Sequence, residues 1–284
     1  MSNDKKKEEV DTPFERNRKQ MELIKTRMSK VNHKIAVISG KGGVGKSLVT
    51  VNLAMALAMN NREGKVGILD ADIHGPSVPR MMGLKGTRLE AGPPGLFPAV
   101  GHFGIKVVSM AFLLQNIEDP VIWRGPLKMG VIRQFLSDIA WGDLEYLLID
   151  LPPGTGDESM SVLQLLPEMD GVIIVTIPSE VSEDVVRKAV TFARTMKVPI
   201  LGVVENMSGV VCPHCGELIE VFGTGGGEHV SSSMNVPLLG KIPLDPRVSS
   251  TMDAGKPFIA AEPDTPAAKE FREIVKQIEE VTDK

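Results

Sequence analysis

The sequence predicts an α/β fold: a doubly wound, mostly parallel sheet with helices on both faces, of the P-loop NTPase kind. Three observations carry this. Aliphatic runs recur at 35–38, 65–69, 105–110, 146–150, 171–177 and 200–204, with little polar alternation, as strands buried on both faces read. Helical patterns at 48–59, 127–139 and 183–196 alternate with them. The first run leads straight into Gly40-Lys41-Gly42-Gly43-Val44-Gly45-Lys46-Ser47, a glycine-rich loop that opens a helix.

Residues 1–32 form a charged extension, expected to be mobile to about residue 20 and then helical, because Met21, Ile24 and Met28 fall at helical spacing. Residues 33–284 are expected to form a single domain. Within the loop, Gly40, Gly45, Lys46 and Ser47 fit G-x-x-x-x-G-K-[ST]. The glycines let backbone N–H groups converge on phosphate oxygens, and the helix start adds partial positive charge. Lys46 is expected to reach the β- and γ-phosphates and Ser47 to ligate Mg²⁺. A glycine turn used only for packing would explain neither Lys46-Ser47 nor the flanking strand and helix.

The second strand ends at Asp70-Ala71-Asp72-Ile73-His74-Gly75, which places carboxylates at the rim of the ligand crevice. Helix capping is the commoner role for such aspartates. Two aspartates two apart on an extended segment would point the same way, toward Mg²⁺ and the attacking water. A glycine- and proline-rich stretch follows, with a turn at Gly92-Pro93-Pro94-Gly95. The run 146–150 ends in Asp150, as strands do whose terminal carboxylate holds Mg²⁺ through its water shell. Gly154 and Gly156 then permit a backbone that moves when the γ-phosphate leaves. Asn206 stands where guanine readers carry N-K-x-D, and Met207-Ser208 follow it, so ATP is favoured over GTP.

The chain has two cysteines, Cys212 and Cys215, in Cys-Pro-His-Cys-Gly. This spacing reads as a metal knuckle. A redox pair would open a helix after an early strand, whereas 217–222 looks extended here; two inert cysteines are the plain alternative. Structural zinc and [4Fe–4S] sites take four protein ligands, and one chain supplies two. The His214 ring is expected to face away from a site both sulfurs share. A symmetric dimer would supply the missing pair.

Lys41, which a plain P-loop does not need, completes G-K-G-G-x-G-K-S. In this form the loop resembles that of the deviant Walker A ATPases, the group of MinD, ParA and the nitrogenase iron protein. The resemblance implies dimerisation around ATP, with Lys41 crossing to the partner's phosphates, Asp72 orienting water and Asp70 supporting it. It also implies that Asn206 and the loop Pro243-Leu244-Asp245 flank the adenine. Trp123-Arg124-Gly125-Pro126, the loop 150–157, Glu205-Asn206-Met207-Ser208, the cysteine pair and Asp253-Ala-Gly-Lys-Pro257 narrow the likeness to the Mrp/ApbC/Nbp group over about residues 33–275. That resemblance implies an ATP-hydrolysing homodimer that holds a [4Fe–4S] cluster between the Cys212 and Cys215 of two subunits. It would receive the cluster from an upstream donor and deliver it to apo-proteins. Larger members carry an N-terminal four-cysteine site or an additional N-terminal domain; residues 1–32 contain no cysteine, so roles that depend on those parts are not carried over. Two alternatives stand beside this reading: a ParA/MinD-like positioning switch, and a P-loop ATPase whose dimer is bridged by four-cysteine zinc.

Composition narrows the field further. The formal charge of −4 gives no general reason to expect nucleic-acid or acidic-membrane binding, and no signal or transmembrane run is evident, so a cytoplasmic protein is expected. Phe271, Ile274, Val275, Ile278 and Val281 form an apolar stripe near the C-terminus. Acidic residues flank it, so packing on the body is expected rather than lipid binding.

Overall fold

The computed structural model describes residues 12–113, 125–212 and 214–283. Trp123 and Arg124, singled out above, lie outside them, as do residues 1–11 and Pro213.

Helix α1, Pro13–Met28, starts earlier than expected, so residues 13–20 are helical rather than mobile. The cause is a capping box: Thr12 Oγ1 accepts from Glu15 N–H, and Glu15 Oε2 accepts from Thr12 N–H. Ile24 and Met28 are buried and join the core with Ile132 and Phe135, so α1 is packed onto the domain.

The chain then runs β1 (Val31–Ser39), α2 (Lys46–Met59), β2 (Val66–Asp70), α3 (Val78–Met81), a hairpin β3–β4 (Glu90–Gly92, Gly95–Phe97), β5 (Ala99–Val100) and β6 (Lys106–Ser109). The turn expected at 92–95 is the tip of that hairpin. Next come α4 (Gly125–Ser137), β7 (Leu144–Asp150), α5 (Asp157–Leu165), β8 (Gly171–Thr176), α6 (Glu180–Thr195) and β9 (Ile200–Val211). The last part is β10 (Leu218–Ile219), α7 (Gly226–Met234), β11 (Leu238–Leu244), α8 (Arg247–Asp253), α9 (Phe258–Ala261) and α10 (Pro266–Thr282).

Among the described residues one nine-stranded sheet has the order β10-β9-β8-β1-β7-β2-β6-β5, with β11 also paired to β9. The central ladders are parallel; β5 and β10 pair antiparallel at the edges. Alternation along β1 shows the double winding. Ile35 and Val37 belong to the core beneath α2 and α10, Ala36 and Ile38 to the core beneath α4, α5 and α6.

Strand β9 runs to Val211, well past the expected end at 204, because Glu205 and Asn206 pair with Lys241 and Ile242 of β11. Of 217–222, expected to be extended, only Leu218–Ile219 is strand. On α10, Phe271, Ile274, Val275 and Ile278 are buried against the body, while Val281 is exposed. Arg62 pairs with Glu279, and the Tyr146 hydroxyl lies 2.9 Å from Thr282 Oγ1, so polar contacts pin the helix end as well. Among the described residues no helix is long and apolar enough to cross a membrane.

Candidate functional site

The phosphate loop leaves the carboxyl end of β1 and enters α2 at Lys46. Gly45 caps that helix at φ +81°, and a Cβ there would lie 2.3 Å from Asn206 Nδ2. Asn206 is buried, and its Nδ2 donates to the Val44 carbonyl at 2.9 Å. Gly40 is constrained from the other side: a Cβ would meet Val185 of α6 at 2.3 Å. Val185 therefore packs on the loop, whereas Val186, Ala189, Val190 and Ala193 of the same helix enter the core. Gly42 and Gly43 are exposed and Lys41 is half-buried, with its carbonyl accepting from Ser39 Oγ.

Asp150 is the centre of the site. It is fully buried at the end of β7 and accepts from three side chains. Lys46 Nζ lies 2.6 Å from Oδ1, Thr50 Oγ1 2.9 Å from Oδ1, and Ser47 Oγ 2.5 Å from Oδ2. Thr50 escaped the sequence reading, because a threonine four residues after Lys46 belongs to no motif. Only the helix, by stacking i and i+4 on one face, brings it to the carboxylate.

Asp70 is the direct cross-strand partner of Asp150 in the parallel β2–β7 ladder. It too is fully buried, accepting from Ser109 Oγ at 3.0 Å and Asp72 N–H at 3.2 Å. Burial first, and then the neighbouring Asp150 charge, hold the Asp70 carboxyl well above the usual carboxylate range. Asp72 lies past the end of β2, so strand alternation does not align it with Asp70. It sits in a turn in which its Oδ1 accepts from Gly75 N–H at 3.1 Å.

Two adjacent buried carboxylates and the Ser47 hydroxyl form a hard-oxygen set that fits Mg²⁺, with Ser47 and Asp150 as the holders and Lys46 beside them for phosphate oxygens. Bound Mg²⁺ would neutralise charge developing on β- and γ-phosphate oxygens.

A raised folded-state pKa means that the folded protein holds the Asp70 proton more tightly than the unfolded chain. Ionising Asp70 therefore costs stability, from just above the unfolded pKa upward, in full once pH exceeds the folded value. Without Mg²⁺ and nucleotide, Asp70→Asn should be more stable than wild type at pH 7, by at least about 2 °C in Tm, the response of a large domain to 1 kcal/mol. The difference should vanish toward pH 4. Melting curves across that range test it, and a variant less stable at pH 7 contradicts it.

Pro243 and Asp245 line a cavity of about 450 Å³ with Val210, Leu244, Arg247 and Ala267. Arg247 grips Asp245 with Nε at 2.9 Å and Nη2 at 2.7 Å, and these bonds hold the Asp245 carboxyl below its ordinary range. Asn206 is not in this lining; it contacts the phosphate loop.

The cysteines sit at the far end of β9. Val211 pairs with Leu218, Cys212 N–H donates to the Glu217 carbonyl, and Gly216 N–H, at φ +77°, closes the turn on the Cys212 carbonyl at 2.9 Å. Backbone N–H groups of Cys215 and then His214 point at the Cys212 sulfur, and the Cys215 thiol adds a third contact; together they hold Cys212 below its ordinary thiol value. Cys215 and His214 are exposed and Cys212 is half-buried. Among the described residues no helix opens at the pair, unlike the arrangement a redox motif requires. Among the described residues no three His, Cys, Asp or Glu side chains converge as a metal site within one chain. Val211, Ile219, Val221 and Phe222 surround the turn with exposed apolar surface.

Comparison with known proteins gives a consistent picture. A family model described as ParA: NUBPL iron-transfer P-loop NTPase matches residues 30–279. An iron-sulfur cluster carrier protein of Methanocaldococcus jannaschii is 52% identical over 257 residues, covering 90% of this chain and 87% of that protein. One from Saccharolobus solfataricus is 52% identical over 255 residues, covering 90% and 86%. Among solved structures, a nucleotide-binding protein of Archaeoglobus fulgidus in complex with ADP, with Co, superposes at a TM-score of 0.74 with 43% identity, covering 83% of this chain and 91% of that one. The cell division ATPase MinD of Pyrococcus furiosus matches in fold at a TM-score of 0.64 with 24% identity, covering 88% and 100%.

Proposed function

The chain belongs to the NUBPL iron-transfer P-loop NTPase family, and from that premise we propose that it is an ATP-hydrolysing homodimer that carries a [4Fe–4S] cluster. The cluster is bridged by Cys212 and Cys215 of both subunits, received from an upstream donor and passed to apo-proteins in the cytoplasm. The observation that carries this reading is the knuckle. A tight turn brings Cys212 and Cys215 to one exposed end of β9, and one chain offers two cysteine ligands where a cluster takes four. A second copy on a two-fold axis supplies the rest, and the exposed Val211, Ile219, Val221 and Phe222 suit burial against it.

In the ATPase step Lys46 holds the β- and γ-phosphates, and the Gly40–Ser47 amides, those of Gly42, Gly43, Val44 and Gly45 among them, cradle the phosphates. Ser47 and Asp150 would hold Mg²⁺, which would neutralise charge on the phosphate oxygens. Asp72, supported by Asp70, orients the attacking water, and Lys41 reaches the partner's phosphates. Pro243 and Asp245 flank the adenine, with Asn206 fixing the loop beneath it.

Reconstitution of anaerobic protein with iron and sulfide tests the carrier reading. The expected product is a brown dimer with about four irons per two chains. A colourless dimer that holds zinc instead would replace the cluster with a structural metal. Lys41→Ala should retain nucleotide binding in the monomer and lose most ATP turnover along with ATP-dependent dimerisation. Turnover equal to wild type would remove Lys41 from the mechanism.

A further inference from the structure

Lys128 of α4 is a buried lysine with no role in the phosphate site described above. It is 6% exposed, and its ammonium reaches two groups, Glu158 Oε1 and His74 Nε2, each at 2.5 Å. His74 Nε2 and Glu158 Oε1 are themselves 3.5 Å apart. The three residues come from three separate elements. His74 follows Asp72 by two positions in the turn after β2, and Glu158 is the second residue of α5, directly after the loop 151–156.

An ammonium has only protons to give, so the His74 contact requires Nε2 as the acceptor, with the ring proton on Nδ1. Burying a lysine is costly, and replacing a buried ion pair by apolar side chains of similar volume is often neutral or stabilising. An apolar set in place of the whole Lys128–Glu158 pair would serve fold stability as well, so stability alone does not account for the pair. What Lys128 does supply is a fixed distance between the turn that bears Asp72 and the start of the helix that follows Asp150.

We propose that Lys128 is a positioning residue for ATP hydrolysis, clamping the Asp72 turn to α5 through His74 and Glu158; this rests on the ATPase reading above. In that step the water oxygen bonds to the γ-phosphorus, and the bond to the β–γ bridging oxygen breaks with its electron pair leaving on ADP. The water proton passes to a phosphate oxygen. Asp72 acts on that water only from a defined place. Asp72 N–H to Asp70 Oδ1 and Gly75 N–H to Asp72 Oδ1 anchor the start of the turn, and Lys128 ties its far side, at His74, to α5.

The test compares steady-state ATP turnover in wild type, Lys128→Met, His74→Ala and the double variant, with melting curves for each. The His74 side chain is 60% exposed, so its removal leaves the fold intact. Both single variants should lose about ten- to hundredfold in kcat, the scale of small misplacement of a reacting group, with KM for ATP within twofold of wild type. Lys128→Met leaves the 36%-exposed Glu158 without its ammonium and should melt lower than wild type. Turnover is therefore read well below its melting point, where the double variant should be no slower than Lys128→Met alone. Losses that multiply in the double variant, a change confined to KM, or kcat within twofold of wild type would each overturn the clamp. Wild-type protein without ATP turnover would overturn the ATPase reading together with it, whereas normal turnover in the variants overturns the clamp alone.

Discussion

Lys46→Ala should lose ATP binding and destabilise the fold at once. Truncating one member of a buried, hydrogen-bonded charge pair costs about 2–5 kcal/mol in binding, so ATP affinity should fall at least about 30-fold. The fold suffers because Asp150, fully buried and 2.6 Å from the ammonium, is left facing the Asp70 carboxylate across the β2–β7 ladder. Breaking such a pair costs about 3–5 kcal/mol. The lower end is expected, because the Ser47 and Thr50 hydroxyls still donate to Asp150. Adding Asp150→Asn to Lys46→Ala should restore much of the stability and none of the ATP affinity. Urea unfolding and equilibrium nucleotide binding on the same samples separate the two effects. Undiminished ATP affinity in Lys46→Ala would refute the phosphate assignment.

Cys212→Ala should abolish cluster uptake while leaving the domain's stability almost unchanged. On the carrier reading each chain would supply two cysteine ligands, so the variant dimer would retain two of four, too few for a four-iron cluster. Bound iron should drop from about four per dimer to below about one. The fold should not notice, because Cys212 is half-buried on a surface turn and surface substitutions stay within about 0.5 kcal/mol. Cys215→Ala should behave alike. Iron analysis and absorbance after anaerobic reconstitution, read beside Tm, give the result. Iron uptake equal to wild type would place the cluster elsewhere.

Much of this fold is legible because parallel strands buried on both faces leave unbroken aliphatic runs, as at Ile35 to Ile38 and Tyr146 to Ile149. The phosphate loop is legible because its chemistry depends on residue types at fixed spacing. The reading fails where long-range pairing decides. Glu205 and Asn206 look like loop residues, yet β11 makes them strand; Asn206 is buried for its bond to Val44 and Glu205 to receive Gly227 N–H and Ser208 Oγ. Thr12-Pro13-Phe14-Glu15 does carry a local helix-start signal, masked by the charge around it. His74, Lys128 and Glu158 lie 54 and 30 residues apart in sequence, and only the packing of α4 against the turn after β2 and the start of α5 brings them together.

One strand joins the two ends of the molecule's chemistry. Between its bond to the phosphate loop at Asn206 and the knuckle at Cys212, β9 carries Met207 at φ +58° and Gly209 at φ +76°. Pairing with β11 steps from Ile242–Asn206 to Leu244–Val210, so β9 holds two residues more than its partner there. Left-handed geometry in a methionine stores strain of about 1–3 kcal/mol, which surrounding packing must hold in place. Spare backbone length and stored strain therefore lie within the five residues that separate Asn206 from Cys212.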